Sequence, residues 1–278
     1  MNYTEKETIL YVDKLSVGYK DEHGKDKLVL KDVNIIEKDI VREGIESTGQ
    51  TIAFIGRSGR GKSTLFKSLT GLLKPTSGQI LITDFSTDDA TDAKNVVEGD
   101  IGFVDQKYTL FRHKTVYQIC QYALRKSIKT KAEKEQLITD YLTEWGLIEH
   151  KNKYSCELSG GQRQRTAIIE QMLTSKHFMI LDEPFSGLDV GNIEKVKQSF
   201  DKILSDDEYN TIIFSTHDIR LAAELADSIY IIGFPEGVTE YSTVVKHYDL
   251  KKMGLAWEPY GNGHRTLVAE IKELLLKS

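Results

Sequence analysis

The chain has 278 residues with a formal net charge of −5 at pH 7, and hydrophobic and charged residues make up 40% and 28% of it. This balance argues against a disordered chain, and the acidic charge argues against nucleic-acid binding driven by net charge. The sequence contains no run of about 18 apolar residues that could span a membrane. Its first residues, 1–14, carry acids where a signal peptide would need a basic flank and an apolar core. The cysteines, Cys120 and Cys156, are too few for a disulfide scaffold, and we expect both to be small buried hydrophobic residues in a reducing cytoplasm.

The first part of the chain predicts strands that lead into a glycine-rich turn. Residues 9–12 and 28–36 are rich in Val, Ile and Leu with polar alternation, which is typical of strands. A polar insert is expected at 37–48. Residues 51–56 then form an apolar run typical of a strand buried on both faces. The helical periodicity of 63–73, closed by a proline, completes a strand–loop–helix unit.

The rest of the chain predicts a helical segment inserted between two parts of an α/β core. Leu137, Tyr141, Leu142 and Trp145 recur at helical spacing, with charged residues on the other face. Buried-strand patterns then return in HFMILDEP, NTIIFSTHD and DSIYIIG. Residues 264–278 carry an apolar stripe at helical spacing, which favours packing against the core and leaves a partner site as the alternative.

Residues 56–64, GRSGRGKST, match the pattern G-x-x-x-x-G-K-[ST] between a predicted strand and a predicted helix. Glycines allow a tight turn whose N–H groups point at phosphate oxygens, and the helix adds the positive end of its dipole. We expect Lys62 to reach the β- and γ-phosphates and Ser63 to bind Mg²⁺, while Arg57 and Arg60 suit either solvent or phosphate. The predicted binding residues of this loop are Gly56, Arg57, Ser58, Gly59, Arg60, Gly61, Lys62, Ser63 and Thr64.

Asp182 and Glu183 follow an apolar run at the carboxyl end of a predicted strand, where open α/β sheets bind ligands. Asp182 can hold Mg²⁺ directly or through water, and Glu183 can orient or deprotonate an attacking water. A surface turn with two acids before a proline is the alternative interpretation. The phosphate loop elsewhere in the chain favours the functional one.

The string LSGGQ at 158–162 predicts a second anion site. It precedes a helical pattern at 163–173, so its small residues and N–H groups would lie at a helix N-terminus. Because one nucleotide needs only one glycine cradle, a second cradle suits an arrangement in which two chains share each nucleotide. The residues of this site are Ser159, Gly160, Gly161 and Gln162.

With these motifs in place, the chain resembles the nucleotide-binding subunits of ABC transporters from about residue 10 to residue 233. The resemblance identifies GRSGRGKST as the Walker A loop and ILDE as the end of the Walker B strand. It identifies LSGGQ as the signature that caps the ATP of a partner chain.

Further landmarks of the family fall on single residues. The resemblance implies that Tyr19 in VGY stacks on adenine and that Asp189 in SGLD links the two nucleotide sites. It implies that Gln106 in VDQ senses Mg²⁺ and the membrane subunit, and that His217 in STHD contacts the γ-phosphate. Taken alone, a tyrosine in a strand is usually a packing residue, and a lone histidine after an apolar strand is usually structural.

The resemblance also implies the fold: an α/β protein with a P-loop NTPase core of ABC ATPase type, an antiparallel β subdomain and an inserted α-helical signature subdomain. We expect the ATPase domain at 1–234, the helical subdomain at about 107–173 within it, and a C-terminal extension at 235–278. Two segments depart from the family pattern: 37–48 is longer than usual, and 110–116, where the family contacts its membrane subunit, is more basic. The extension faintly resembles that of nitrate, sulfonate or taurine import ATPases.

The activity implied is ATP hydrolysis by two chains that bind two Mg-ATP head to tail. Glu183 would hold the attacking water, with Lys62, Mg²⁺ and the partner's signature serine stabilising the charge of the transition state. The partner is a second copy of the chain or a homologous ATPase chain.

Closure and opening of this dimer would move a separate polytopic membrane permease, with a substrate-binding protein as a further candidate partner and no nucleic acid. We expect the chain on the cytoplasmic face of the inner or plasma membrane. An importer is the leading hypothesis, since separate ATPase chains of this size are typical of bacterial importers, although some exporters use them. The alternative is a soluble ABC ATPase acting in assembly or maintenance; a P-loop kinase or GTPase would not need LSGGQ.

Overall fold

The computed structural model describes residues 2–20, 24, 26–45, 49–85, 87, 92–174 and 177–277. Its strands are β1 (Tyr3–Lys20), β2 (Asp26–Arg42), β3 (Gln50–Ile55), β4 (Ser77–Thr83), β5 (Ala93–Asn95), β6 (Ile101–Val104), β7 (Phe178–Leu181), β8 (Thr211–Thr216), β9 (Ser228–Gly233) and β10 (Thr243–Asp249). Its α-helices are α1 (Lys62–Leu69), α2 (Val116–Ala123), α3 (Lys131–Glu144), α4 (Gly160–Thr174), α5 (Val190–Asp206), α6 (Ile219–Leu225) and α7 (Asn262–Lys277). The strands form two sheets, so the α/β class is confirmed.

The smaller sheet is antiparallel, in the order β2-β1-β4-β5, as the family resemblance implies. β1 and β2 pair from Tyr3 opposite Arg42 to Lys20 opposite Asp26. Both strands are much longer than the predicted 9–12 and 28–36. For β1, the reason is that residues 3–8 alternate between half-buried and exposed positions, which leaves only a weak apolar signal in the sequence.

The predicted polar insert at 37–48 is instead a continuation of β2 as far as Arg42. Glu37, Asp39 and Ile40 are buried there, each with 3% of its surface exposed. The sequence suggested a loop because two of these three residues are acidic, whereas pairing with β1 satisfies their backbone hydrogen bonds. Residues 46–48 lie outside the described residues.

The larger sheet has the order β10-β9-β3-β8-β7-β6 and forms the centre of the protein. β3 pairs in parallel with β8 and β9, and β7 pairs in parallel with β6 and β8. Every residue of β3, β8 and β9 is buried, which explains their uninterrupted apolar runs. β10 adds to β9 in the antiparallel direction, so the chain beyond residue 234 contributes a strand to this sheet.

The helical segment expected between two parts of the core consists of α2, α3 and α4. Thr115 and Thr130 cap α2 and α3 with reciprocal capping boxes, which fixes where both helices begin. Leu142 and Trp145 are buried in the hydrophobic cluster that also covers one face of the larger sheet. Of the cysteines, Cys120 is buried in α2, but Cys156 is exposed in a short 3-10 turn before α4, so the expected burial is wrong for Cys156.

The apolar stripe near the C-terminus lies on α7 and packs against the core. Leu267, Val268 and Ile271 are buried, and Leu274 and Leu275 are partly buried against the same cluster. Of the two interpretations of this stripe, packing against the core is therefore the one that the contacts of α7 support. In the described part of the chain, no helix has both the length and the apolar character that crossing a membrane requires.

Replacing Ile271 by Ala should lower the free energy of unfolding by about 2–5 kcal/mol, since the fully buried side chain would leave a cavity. The matched control is Leu276→Ala on the same helix, where 83% of the residue is exposed and a change within about 0.5 kcal/mol is expected. Denaturant titration followed by circular dichroism measures both. Equal effects of the two substitutions would show that α7 does not pack as described.

Candidate functional site

A cavity of about 500 Å³ opens where the carboxyl ends of the parallel strands of the larger sheet meet. The loop between β3 and α1 lines it, together with Gln106 after β6 and His217 after β8. Asp182 and Glu183, directly after β7, complete the wall. The topology therefore brings together residues that are more than 150 positions apart in sequence.

Glycines shape the loop at 56–64. Gly61 precedes α1 with a φ of 89°, and a Cβ there would lie 3.0 Å from Leu30 Cδ2. A Cβ on Gly56 would lie 2.4 Å from the carbonyl oxygen of Ile232. Only glycine suits both positions, because one needs a left-handed backbone and the other a close approach to β9. The turn thus forms a cradle of backbone N–H groups at the start of a helix, as an anion site requires.

Lys62 lines the cavity with 9% of its side chain exposed. Its ammonium group donates to the carbonyl oxygen of Gly56 at 2.7 Å and lies 3.9 Å from Glu183 Oε1. Burial lowers the pKa of Lys62, while the charges of Glu183 and Asp182 act in the opposite direction. A phosphate would be a stronger partner for this partly desolvated cation than the loop carbonyl.

Asp182 forms an oxygen-rich corner with two serines. Its carboxylate accepts hydrogen bonds from Ser63 Oγ at 2.6 Å and from Ser215 Oγ at 2.5 Å. Hydroxyl and carboxylate oxygens are the ligands that Mg²⁺ prefers, together with water and phosphate oxygens. Ser63 and Asp182, predicted separately from two motifs, are therefore adjacent and fit a magnesium ion.

Glu183 and His217 form the other pair at the cavity. His217 Nδ1 lies 2.8 Å from Glu183 Oε2, and 71% of the His217 side chain is exposed. Glu183 has a φ of 53°, a conformation that costs a non-glycine residue about 1–3 kcal/mol. Its N–H group donates to Ser215 Oγ at 2.9 Å, which holds this backbone in place. Ser215 thus holds the backbone and His217 directs the carboxylate, which can accept a proton from a water molecule.

Three other predicted loop and sensor residues occupy different parts of the cavity. Gln106 is exposed and its Nε2 lies 3.5 Å from Ser186 Oγ. Arg57 is exposed. Arg60 stacks on Phe234, with its guanidinium carbon 3.6 Å from the ring centre. From the sequence, only solvent or a phosphate was expected as its surroundings.

The LSGGQ residues do not line this cavity. Ser159 and Gln162 bond reciprocally at the start of α4, from Ser159 N to Gln162 Oε1 at 2.9 Å and from Gln162 N to Ser159 Oγ at 3.3 Å. Ser159 and Gly160 are exposed, so the second anion site faces outward. Within one chain, the two glycine cradles are therefore parts of separate surfaces.

Asp189 and Tyr19 also lie outside the cavity lining. Asp189 caps α5 through hydrogen bonds from Asn192, which is a complete structural role for its carboxylate within the chain. Tyr19, near the end of β1, is 48% exposed. Their predicted roles toward a partner site and toward adenine stay predictions.

Two residues of the cavity lining, Val29 and Ser186, were absent from the sequence predictions, as was Ser215, which bonds Asp182 and the N–H group of Glu183. Val29 comes from β2 of the other sheet, and nothing in a strand pattern indicates that contact. Ser215 is fully buried and lies two residues before His217. A serine directly after the apolar run IIF, so close to a predicted functional residue, was the available signal.

Comparison with known proteins gives consistent results. A family model described as ABC transporter matches residues 45–186. The sulfate/thiosulfate import ATP-binding protein CysA of Thermosynechococcus vestitus is 36% identical over 73% of this chain, and the chain spans 59% of that relative's length. The protein of the same name from Pectobacterium atrosepticum is 33% identical over 82% of this chain and 69% of its own.

Solved structures agree with the fold. The structure of cbiO1 from Clostridium perfringens, described as part of the ABC transporter complex cbiONQ, has a TM-score of 0.66 at 28% identity and covers 90% of this chain and 92% of its own. An ATP-binding cassette, solved as a dimer in a post-hydrolysis state bound to ADP and Pi, has a TM-score of 0.66 at 25% identity and covers 87% of this chain and 99% of its own.

Ser215→Ala should lower the free energy of unfolding by about 1–3 kcal/mol, because it leaves the N–H group of Glu183 and an oxygen of Asp182 without their partner. Ser186→Ala serves as control, since within the described ranges the one hydrogen bond of its hydroxyl is the 3.5 Å contact with Gln106. Denaturant titration of both variants measures the difference. No loss in Ser215→Ala beyond that of the control would contradict the bridging role.

Proposed function

The chain belongs to the ABC transporter family, and from this premise we propose that it is the ATP-hydrolysing subunit of an importer whose membrane permease is a separate chain. Two copies would bind two Mg-ATP head to tail and transmit closure and opening to the permease. The observation that carries the proposal is the separation of the Lys62–Glu183–His217 cavity from the exposed LSGGQ surface within one chain.

The geometry of the cavity supports ATP hydrolysis. Lys62 would bind the β- and γ-phosphates, and Ser63 with Asp182 would hold Mg²⁺, which supplies charge neutralisation between the phosphates. Glu183 would accept the proton of the attacking water, and His217 at 2.8 Å would keep that carboxylate in position beside the γ-phosphate. Gln106, at the rim, would contact the same water or Mg²⁺.

The dimer follows from the two separated anion sites. One face of the nucleotide would be held by the loop at 56–64, and the other by Ser159 and the start of α4 from the partner chain. ATP would then favour closure, since it supplies charge that both surfaces bind only when they meet. The similarity to an ATP-binding cassette solved as a dimer supports this arrangement.

An exposed aromatic cluster in the segment that follows Gln106 suits a permease. Phe111 and Tyr122 are 37% and 38% exposed, and their rings lie 5.0 Å apart at an angle of 75°. Lys114 and Arg125 lie over the Tyr122 ring at 5.3 and 4.1 Å. Exposed aromatic rings framed by cations fit a partner segment with apolar and acidic side chains. The import names of the relatives support the direction of transport, and other subunits would select the substrate.

Glu183→Gln should bind ATP but hydrolyse it at least about 100-fold more slowly, since the amide cannot accept the proton. Lys62→Ala should lose both ATP binding and ATP hydrolysis, because the phosphates lose their buried cation. Purified variants are compared by phosphate release and by nucleotide binding. Hydrolysis by Glu183→Gln at the wild-type rate would overturn the role of Glu183.

The same variant tests the dimer. With ATP and Mg²⁺, Glu183→Gln should have the mass of a dimer by light scattering. Adding Ser159→Arg should keep it monomeric by blocking the LSGGQ surface, while Ser205→Arg, on an exposed position of α5, should not. A dimer that tolerates Ser159→Arg would contradict the head-to-tail arrangement.

The transport function is tested by what the chain binds in membranes. Tagged Glu183→Gln, purified with ATP from detergent-solubilised native membranes, should retain a stoichiometric polytopic membrane protein identifiable by mass spectrometry. Phe111→Asp should reduce its recovery, while Leu276→Ala, on the exposed side of α7, should not. Recovery of soluble partners alone would favour an ABC ATPase that acts outside transport.

A further inference from the structure

A second cavity, of about 220 Å³, lies between β1, β2 and the segment that begins with β10. It shares no lining residue with the nucleotide cavity. One part of its wall comes from the end of β2, where the sequence had predicted an insert. Another part comes from the chain beyond residue 234. We call it the seam pocket, defined by Glu5, Glu37, Lys38, Asp249, Lys251 and Lys252.

The buried ammonium group of Lys251 has hydrogen-bonding capacity that the described residues do not use. Only 4% of its side chain is exposed, although the cavity borders it. Among the described residues, its ammonium group makes one hydrogen bond, to Ser228 Oγ at 3.0 Å. The carboxylates of Asp249 and Glu37 lie at 3.6 and 3.8 Å, too far for a good hydrogen bond. Burying an ammonium group that uses one of its three N–H donors costs free energy, unless acceptors in the cavity bind the other two.

Glu37 is engaged from the protein side of the pocket. Its oxygens accept hydrogen bonds from Tyr230 at 2.7 Å and from Ser228 at 3.2 Å. Full burial raises the pKa of Glu37, opposed by the charge of Lys251. His247, whose Nε2 lies 3.8 Å from Glu37, stacks on Tyr230, and burial lowers its pKa. The oxygens of Glu37 are thus already engaged by Tyr230 and Ser228, and they lie too far from Lys251 to use its remaining donors well.

The acids at the rim are also occupied. Glu5 lies 2.9 Å from Lys252 and 3.2 Å from Lys38, and Asp249 lies 3.0 Å from Lys252. These pairs hold the pKa values of both Glu5 and Asp249 below their usual values, despite the opposing effect of burial. The carboxylate oxygens of Glu5 and Asp249 are thus paired with lysines of the pocket. The donors that remain for a ligand are ammonium N–H groups of those lysines.

The volume and walls limit the size of the occupant. A cavity of about 220 Å³ has room for about seven water molecules or one small organic anion. Ile36 and Ile40 provide apolar surface beside the charged residues. An occupant with one oxyanion group and a short body would complete the hydrogen bonds of Lys251 and cover this surface.

We propose that the seam pocket is a binding site for a small metabolite with an oxyanion group, held by Lys251 at its base and by Lys38 and Lys252 at its rim. Such a ligand would bridge the antiparallel sheet and the C-terminal segment. The site is independent of the nucleotide cavity, so it does not depend on the proposed transport function.

The test is titration calorimetry of the full chain with sodium sulfate, sodium phosphate and sodium acetate at constant ionic strength in chloride. These probes distinguish tetrahedral oxyanions from carboxylates. At least one should bind saturably, and Lys251→Met should weaken it by about tenfold or more, as expected for a lost charge-assisted hydrogen bond. Lys246→Met, an exposed position on β10 outside the pocket, should leave the affinity unchanged.

Lys62→Ala separates this site from the phosphate loop, and binding in the seam pocket should persist in that variant. Lys252→Met covers the case in which Lys251→Met does not fold: its side chain is 63% exposed, and a loss of about threefold is expected. The proposal is overturned if no probe binds saturably, if all binding disappears in Lys62→Ala, or if the lysine variants of the pocket bind as tightly as the wild type.

Discussion

The hydroxyl group of Ser215 joins the ends of β7 and β8, and the arrangement of the nucleotide cavity depends on it. It donates to Asp182 at 2.5 Å and accepts from the N–H group of Glu183 at 2.9 Å, with no surface exposed. This contact fixes neighbouring acids in different directions, one toward Ser63 and the other toward His217. Two acids adjacent in sequence can therefore have separate roles, a metal ligand and a proton acceptor, because a third side chain holds the backbone between them.

A second constraint is that the chain carries only part of the proposed ATP site on each of its surfaces. The loop at 56–64 ends in a cradle that opens at the sheet edge, while Ser159 and Gly160 are exposed at the start of α4. A helix N-terminus presents backbone N–H groups and the positive end of the helix dipole, which together favour an anion. The proposed dimer supplies each surface with its complement, which makes ATP part of the interface.

β2 connects the proposed nucleotide site to the rest of the protein. Val29, near its start, lines the nucleotide cavity, and Glu37, farther along, lies in the seam pocket against Lys251. Because β10 pairs with β9, the C-terminal segment is attached both to the larger sheet and to β2. The segment beyond residue 234 thus contacts the larger sheet through β9 and the smaller sheet through β2. A ligand in the seam pocket would contact residues of β2 and of this segment together.

The sequence by itself determined the α/β class, the loop at 56–64, the acids after β7 and the helical segment, because each depends on local signals: a fixed spacing, an apolar run or a helical period. It did not determine the length of β2, whose acidic residues resemble a loop until β1 supplies their backbone partners. Nor did it predict Ser215, Arg60 on Phe234, or the seam pocket. Those contacts join residues far apart in the chain, and only the packing of one sheet against the other and the order of strands in the larger sheet bring them within a few ångströms.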